Sequence, residues 1–269
     1  MSEKNKNNRY TINSILRARN ILQLLAQDVE GLRIGDMAKH LDLDRTTVFR
    51  IIVTLEQCGF VERVGDGKTY KLGVGLFEIG SAYIRSTDMH SIARPIMIDL
   101  TQRVREGVHW AILSGEKAVC IDKIESPRGL GTTSKIGRAV ALNSGSVGKV
   151  LLAFQPEDAR ERLLESLELQ RFTDRTITST DAMRAEIEKI RHAGYCMSLG
   201  EGEPDMACIA APVFDHTGRI SAGVSGGGHI QRFEDVANAR KLTTQLIEAA
   251  RQISEKLGCS EIPNFETAA

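Results

Sequence analysis

The stretch from Ile34 to Leu72 constrains the fold most. Its apolar residues run at helical spacing, break, resume, and then give way to strand-like runs about a glycine turn. Ile34, Met37, Ala38 and Leu41 share one side of a short helix that breaks at Asp42-Leu43. Asp44 is placed to cap a second helix, its carboxylate accepting from the amides of Thr46 and Thr47. Val48, Ile51, Ile52 and Leu55 form that helix's inward stripe, which leaves Arg45, Thr46, Thr47, Phe49 and Arg50 on the opposite face. Cys58-Gly59 ends the helix. Phe60 to Arg63 and Thr69 to Leu72 then read as two strands about Gly65-Asp66-Gly67. This order describes a winged helix-turn-helix. Its second helix suits a DNA major groove, and its ribbon, with Arg63, Lys68 and Lys71, suits phosphates. A packed helix pair with a hairpin and no DNA role would share the pattern. The cationic, hydroxyl-bearing start of the second helix favours double-stranded DNA.

Charge does not do this work in bulk. The 269 residues carry 35 Lys/Arg and 35 Asp/Glu, and the first 80 hold 12 against 10. Affinity for a polyanion must therefore come from local placement and from pairing two heads, which predicts a dimer on a pseudo-palindromic operator. The length predicts one large domain or two modest ones. The five cysteines, Cys58, Cys120, Cys196, Cys208 and Cys259, are scattered and lack zinc-ligand spacing, so they read as reduced thiols with no metal or cofactor. Residues 2–9 form a polar arm bearing Lys4, Lys6 and Arg9. No signal-peptide core precedes the head, and no apolar run approaches the roughly 18 residues of a membrane span. The expectation is a soluble, cytoplasmic protein without a membrane partner.

Ahead of the helix pair, Asn13-Ser14 can cap a helix with Ile15, Ala18, Ile21, Leu22 and Leu25 inward, ending near Gly31. After the wing, Val74 to Ile84, with Leu76, Phe77, Ile79 and Tyr83, reads as a linker helix. It leaves the head to pack on a second copy or covers its own head's core. Ser91 caps a helix through Arg105. Strands are then predicted at His109 to Leu113, Ala118 to Ile124, Thr132 to Ile136, Ile209 to Phe214 and Ile220 to Ser225. Helices are predicted from Ser146 to Phe154, from Pro156 to Leu167, from a Thr180 cap to Gly194, and from Phe233 to Leu257. Strands flanked by helices imply an α+β fold with an antiparallel sheet.

The turn Asn143-Ser144-Gly145-Ser146-Val147-Gly148 opens a helix whose free amides can face a carboxylate. It could equally be a strand-to-helix turn with no ligand. Two enzyme-like patterns lie nearby. Gly223-Val224-Ser225-Gly226-Gly227 fits the letter of a hydrolase elbow, yet only His229 follows it, with no acid between. Asn143 to Lys149 looks like a Walker loop but has Asn143 at its first position and Val150 in place of the magnesium-binding hydroxyl. No enzyme is expected. A hydrolase using Ser225 stays as the alternative, beside a constitutive DNA binder with a non-functional pocket.

The head with Gly73, the Ser144-to-Ala153 segment with Gly148-Lys149, and Gly200-Glu201 through Ala211-Pro212-Val213 together resemble the IclR family of bacterial regulators. Thr176 to Thr180 and Gly148 to Leu152 are similar to its branch regulating uronate and ketodeoxygluconate breakdown. The resemblance implies a winged head over residues 1–73, a linker helix over 74–90 and a GAF-like effector-binding domain over 91–260. It also implies dimers made through heads and linkers, often paired into tetramers. It places Ser144, Gly145, Ser146 and Val147 at the effector, and brings Glu201, Cys208 and Ser225 beside them. Relatives often carry His or Tyr near Asn143 and an acidic residue shortly before Glu201, where this chain has Ser198 and Leu199. A hydroxyl-rich pocket for a small organic or sugar acid follows. Repressor and activator both remain open.

Overall fold

The computed structural model describes residues 11–28, 30–65, 67–86, 88–129, 134–263 and 265. The expected N-terminal arm, Asp66 of the wing turn, the Tyr83 side chain, and the start of the strand expected at Thr132 lie outside the described residues. The chain forms two compact units, Met1–Thr87 and Asp88–Ala269.

In the first unit α1 (Asn13–Leu25) is followed by β1 (Leu32–Arg33), α2 (Ile34–His40), α3 (Arg45–Gln57), β2 (Val61–Val64), β3 (Thr69–Leu72) and α4 (Val74–Ser86). Ile21, Leu25, Met37, Val48, Ile52, Leu55 and Tyr70 pack together as its core. Each comes from a helical apolar stripe or from the wing's inward side. The residue before α1 is Ile12, and no side chain caps the helix, so Asn13 and Ser14 lie inside it. Ile15, expected inward, is exposed, because the core sits on the Ile21/Leu25 side. Asp28 Oδ1 instead closes the chain beyond the helix by accepting from the amides of Glu30 and Gly31. The wing has a third strand that the sequence did not suggest: β1 pairs with β3, giving the order β1-β3-β2. Gly31 (φ +87°) permits this, since a Cβ there would strike the Tyr70 carbonyl at 2.6 Å.

In the second unit α5 (Asp88–Val104) precedes β4 (Gly107–Ser114), β5 (Lys117–Ile124), β6 (Ala139–Ala141), α6 (Ser146–Ala153), α7 (Glu157–Ser166) and α8 (Thr180–Ala193). Then come β7 (Cys196–Leu199), β8 (Met206–Phe214), β9 (Ile220–His229), α9 (Gln231–Glu234) and α10 (Val236–Lys256). One antiparallel sheet runs β6-β5-β4-β9-β8-β7. Both of its faces are covered. Trp110, Val224 and Val213 join Leu100 of α5 and Leu246 and Ile253 of α10 in one core. Ala111 and Ala210 join Val150 and Leu151 of α6 and Ile187 of α8 in another.

Several boundaries differ from expectation for local reasons. α5 starts at Asp88, so Ser91 lies within the helix and does not cap it. Ser179, not Thr180, caps α8 by accepting from the Ala182 amide. Residues 134–136 form no strand; the edge strand is Ala139–Ala141, following a turn at Gly137. The single closing helix is split, because Asp235 accepts from the amides of Ala237 and Asn238 and restarts it as α10. β7 was not foreseen.

Candidate functional sites

In the head, Asp44 Oδ1 accepts from the Thr47 amide at 2.8 Å, one amide rather than the two expected. Hydrogen bonding from the Thr47 side chain, and then from its amide, holds the Asp44 carboxyl below its usual range. With Val48 and Ile52 buried, Arg45, Thr46, Phe49 and Arg50 are left exposed along one side of α3, with Thr47 half-buried at its start. Gly35 leaves room for Arg45, whose guanidinium would lie 3.5 Å from a Cβ at that position.

The wing cations are less available than their spacing suggests. Arg63 donates to both carboxylate oxygens of Glu56, at 2.7 and 3.0 Å, and its guanidinium lies 5.5 Å from the centre of the Tyr70 ring. Lys71 pairs with Glu62 at 3.0 Å. Lys68 sits in the turn before β3, where it too makes a contact within the fold. DNA phosphates would have to compete with these carboxylates or extend the pairs.

In the second unit the Asn143–Gly148 turn borders a cavity of about 290 Å3. Ser144, Gly145, Ser146 and Val147 all line it, as do Cys208 and Ser225. A helix start leaves its first amides without intrahelical carbonyls. At α6 the Ser146 amide meets Cys208 Sγ at 3.4 Å. The Ser144 hydroxyl is spent locally, donating to the Ala141 carbonyl at 2.9 Å. Ser146 Oγ, by contrast, is fully buried with only the Cys208 thiol beside it, and makes no hydrogen bond of good geometry among the described residues. Burial raises the Cys208 thiol, so it sits here as a neutral thiol rather than a nucleophile.

Glu201 is the exception among the expected residues. It lies behind the cavity wall, and the lining acid is Glu203. Glu201 Oε1 accepts from Lys149 Nζ at 2.7 Å, and Lys149 also reaches Glu186 Oε1 at 3.1 Å. Lys149 itself is wholly buried. Burial disfavours its ammonium, but the surrounding Cys196, Glu201 and Glu186 outweigh that and raise its pKa. This lysine is thus a buried strut of α6 and not a phosphate hook, which removes the last likeness to a Walker loop.

Sequence reasoning missed His109, Lys117 and Arg138, which also line the cavity, as does Ser198, which stands where relatives carry an acid. His109 stands opposite Ser225 across β4 and β9. Burial, aided by Lys123 and opposed by Glu125, lowers its pKa to about 4, so it is neutral near pH 7. Its alternation with Trp110 should have flagged it: in a sheet covered on both sides, the residue beside a core tryptophan faces the other layer. Lys117, the first residue of β5, and Arg138, just before β6, are exposed near the sheet edge and give the cavity lining its cations. Ser225 sits inside β9, paired with Ala210 and His109. A nucleophile elbow needs a strand-to-helix turn at the serine, and none exists here. No cluster among the described residues could hold a metal ion.

Residues 14–65 match the IclR helix-turn-helix domain, and residues 81–255 match the bacterial transcriptional regulator IclR C-terminal domain. The chain belongs to the IclR family of bacterial transcriptional regulators. It is 34% identical over 253 residues to the HTH-type transcriptional regulator KdgR of Escherichia coli (strain K12), covering 94% of this chain and 95% of that protein. The crystal structure of the Thermotoga maritima IclR superposes with a TM-score of 0.73 at 33% identity, covering 92% of this chain and all of that one (100%). An IclR homolog from Microbacterium hydrocarbonoxydans, complexed with 4-hydroxybenzoate, superposes with a TM-score of 0.78 at 25% identity, covering 91% and 98% of the two chains. This IclR-family chain is therefore an effector-responsive, DNA-binding transcriptional regulator with the α+β architecture of its relatives. No helix of the described residues is long and apolar enough to cross a membrane.

Proposed function

We propose that the regulator controls a catabolic operon from the cytoplasm by binding a small organic or sugar acid in the cavity at the start of α6. The observation that carries this reading is Ser146 Oγ, a fully buried hydroxyl of a residue lining the cavity, with only the Cys208 thiol beside it and no hydrogen bond of good geometry among the described residues. Leaving such a group unpaired costs about 1–3 kcal/mol, which a ligand oxygen would recover. Ser225 and neutral His109 add donors and acceptors on the same wall, and Lys117 and Arg138 in the lining suit an acid. The IclR homolog from Microbacterium hydrocarbonoxydans that is complexed with 4-hydroxybenzoate supports an acid as the ligand class.

The head, on this reading, inserts α3 in the major groove of a pseudo-palindromic operator, with Arg45 and Arg50 at base edges or phosphates and Thr46 and Thr47 on the backbone. Two heads are supplied by a homodimer, itself able to pair into a tetramer. The exposed Val74, Phe77 and Ile79 of α4, with Leu16 of α1, support it as surface to be covered by a second copy. Effector binding changes DNA affinity only insofar as it prefers one arrangement of the dimer. The domain boundaries that serve this reading are a head to residue 73, a linker to about residue 90 and the effector domain beyond.

A thermal-shift panel of keto acids, hydroxy acids, uronic acids and 4-hydroxybenzoate tests the pocket. A ligand at about a hundred times its Kd adds about 2.7 kcal/mol of stability. At least one acid raises the melting temperature of the wild type and not of Ser146→Leu, whose side chain fills the site. No shift with any acid would favour a constitutive DNA binder, and turnover of an ester dependent on Ser225 would favour the hydrolase.

A further inference from the structure

Phe49 is the anomaly of the head. Every other large apolar residue of α3 is buried or half-buried, yet Phe49 is 50% exposed. It stands one turn from Arg45 and next to Arg50, in the middle of the helix face that carries the cations. Concavity on its flank, about 630 Å3 between α1 and α3, is lined by Ile15, Val53 and Phe49 and also by Arg17 and Arg50. Two guanidinium groups in an otherwise largely apolar hollow fit a polyanion better than an apolar helix.

A phenyl ring has no donor or acceptor with which to read a base edge. In the major groove the apolar group that distinguishes one base from the rest is the C5-methyl of thymine. We infer that Phe49 packs on a thymine methyl and sets a requirement for thymine in each operator half-site. This rests on the reading of α3 as the groove helix. Arg45 and Arg50 then act as flanking anchors, fixing the register that brings the ring onto the methyl.

The test uses the full chain and duplex DNA selected by it from a random pool, bound at one fixed salt concentration. Each thymine of the selected duplex is replaced singly by deoxyuridine, which removes only the methyl. Burying one methyl group is worth about 0.8 kcal/mol, or roughly fourfold in affinity. One thymine per half-site should show that loss with the wild type, and the loss should vanish in Phe49→Ala while the variant stays a dimer in sedimentation. Selected sites tolerating uracil at every position, or lacking a shared thymine, would overturn the inference and leave α3 as the reading helix. The same holds for a uracil penalty that persists in Phe49→Ala, or for Phe49→Ala becoming a monomer, which would make the ring a subunit contact. A pool yielding no enriched sequence would overturn both this inference and the groove role of α3.

Discussion

Lys149 Nζ donates to Glu201 Oε1 at 2.7 Å from a position with no exposure to solvent, joining α6 to the loop that follows β7. The same loop is fastened from the far side, where Thr176 Oγ1 donates to the Glu201 carbonyl at 2.6 Å and Thr173 Oγ1 to that of Gly200 at 2.7 Å. Gly202 then packs so closely on the Ser144 carbonyl that no Cβ would fit there. The lysine therefore braces one cavity wall against another.

Removing that strut leaves two carboxylates in a poorly solvated place. Lys149→Met should destabilise the fold by roughly 3–5 kcal/mol, the cost of an uncompensated buried charge. Adding Glu201→Leu to it should recover part of the loss, since the orphaned charge goes too. Urea denaturation of Lys149→Met, of Glu201→Leu and of the double variant checks this. A double variant as unstable as the sum of the two single ones would mean that the pair is not coupled.

His109 gives stability a pH signature. Its folded pKa, about 4, lies below the ordinary 6.5. Between these values the unfolded chain binds a proton that the folded chain refuses, so the contribution is present above pH 6.5 and lost as pH falls toward 4. The full loss is about 3 kcal/mol. His109→Gln, neutral throughout, should flatten that part of the curve in denaturation measured from pH 7.5 to 4. An unchanged slope in the variant would show that other groups titrate there.

In the head, Arg45→Ala or Arg50→Ala should cost about 1–3 kcal/mol where the side chain reads a base, and relax selectivity at one position. Arg63 is already held by Glu56. Arg63→Ala should thus weaken binding evenly across sequences and lower the salt slope by about one at most. Fluorescence anisotropy on selected duplexes at several salt concentrations distinguishes the two patterns. Binding untouched by both α3 variants would remove that helix from the interface.

The helices of the head were legible because their spacing and caps are local: Asp44 lies three residues from Thr47, and Val48 four from Ile52. The turn at Ser144 to Gly148 was legible for the same reason. What escaped was set at long range. Lys149 meets partners 37 and 52 residues away, and no local pattern marks a lysine as buried. Glu201 was read as a ligand group when its charge was already taken by that lysine. β7 escaped because it has four residues, follows directly on a helix stop at Gly194, and gains its strand character from pairing with β8. His109 was hidden because its strand's sequence does not show which layer packs over each face, and its burial comes from pairing with β9 far along the chain.

On the proposed function, an acid in the cavity and DNA on α3 influence each other's binding. The most direct measurement of that coupling is the affinity of the full-length protein for a selected duplex, titrated with the acid that raises its melting temperature, wild type beside Ser225→Ala. Coupling of about 1–3 kcal/mol would change wild-type DNA affinity by about 5–150-fold. Ser225→Ala should reach the same end point, but only at roughly 5–100-fold higher acid concentration, because one hydrogen bond of the ligand is left unpaired. DNA affinity that stays constant while the acid demonstrably binds would contradict that coupling.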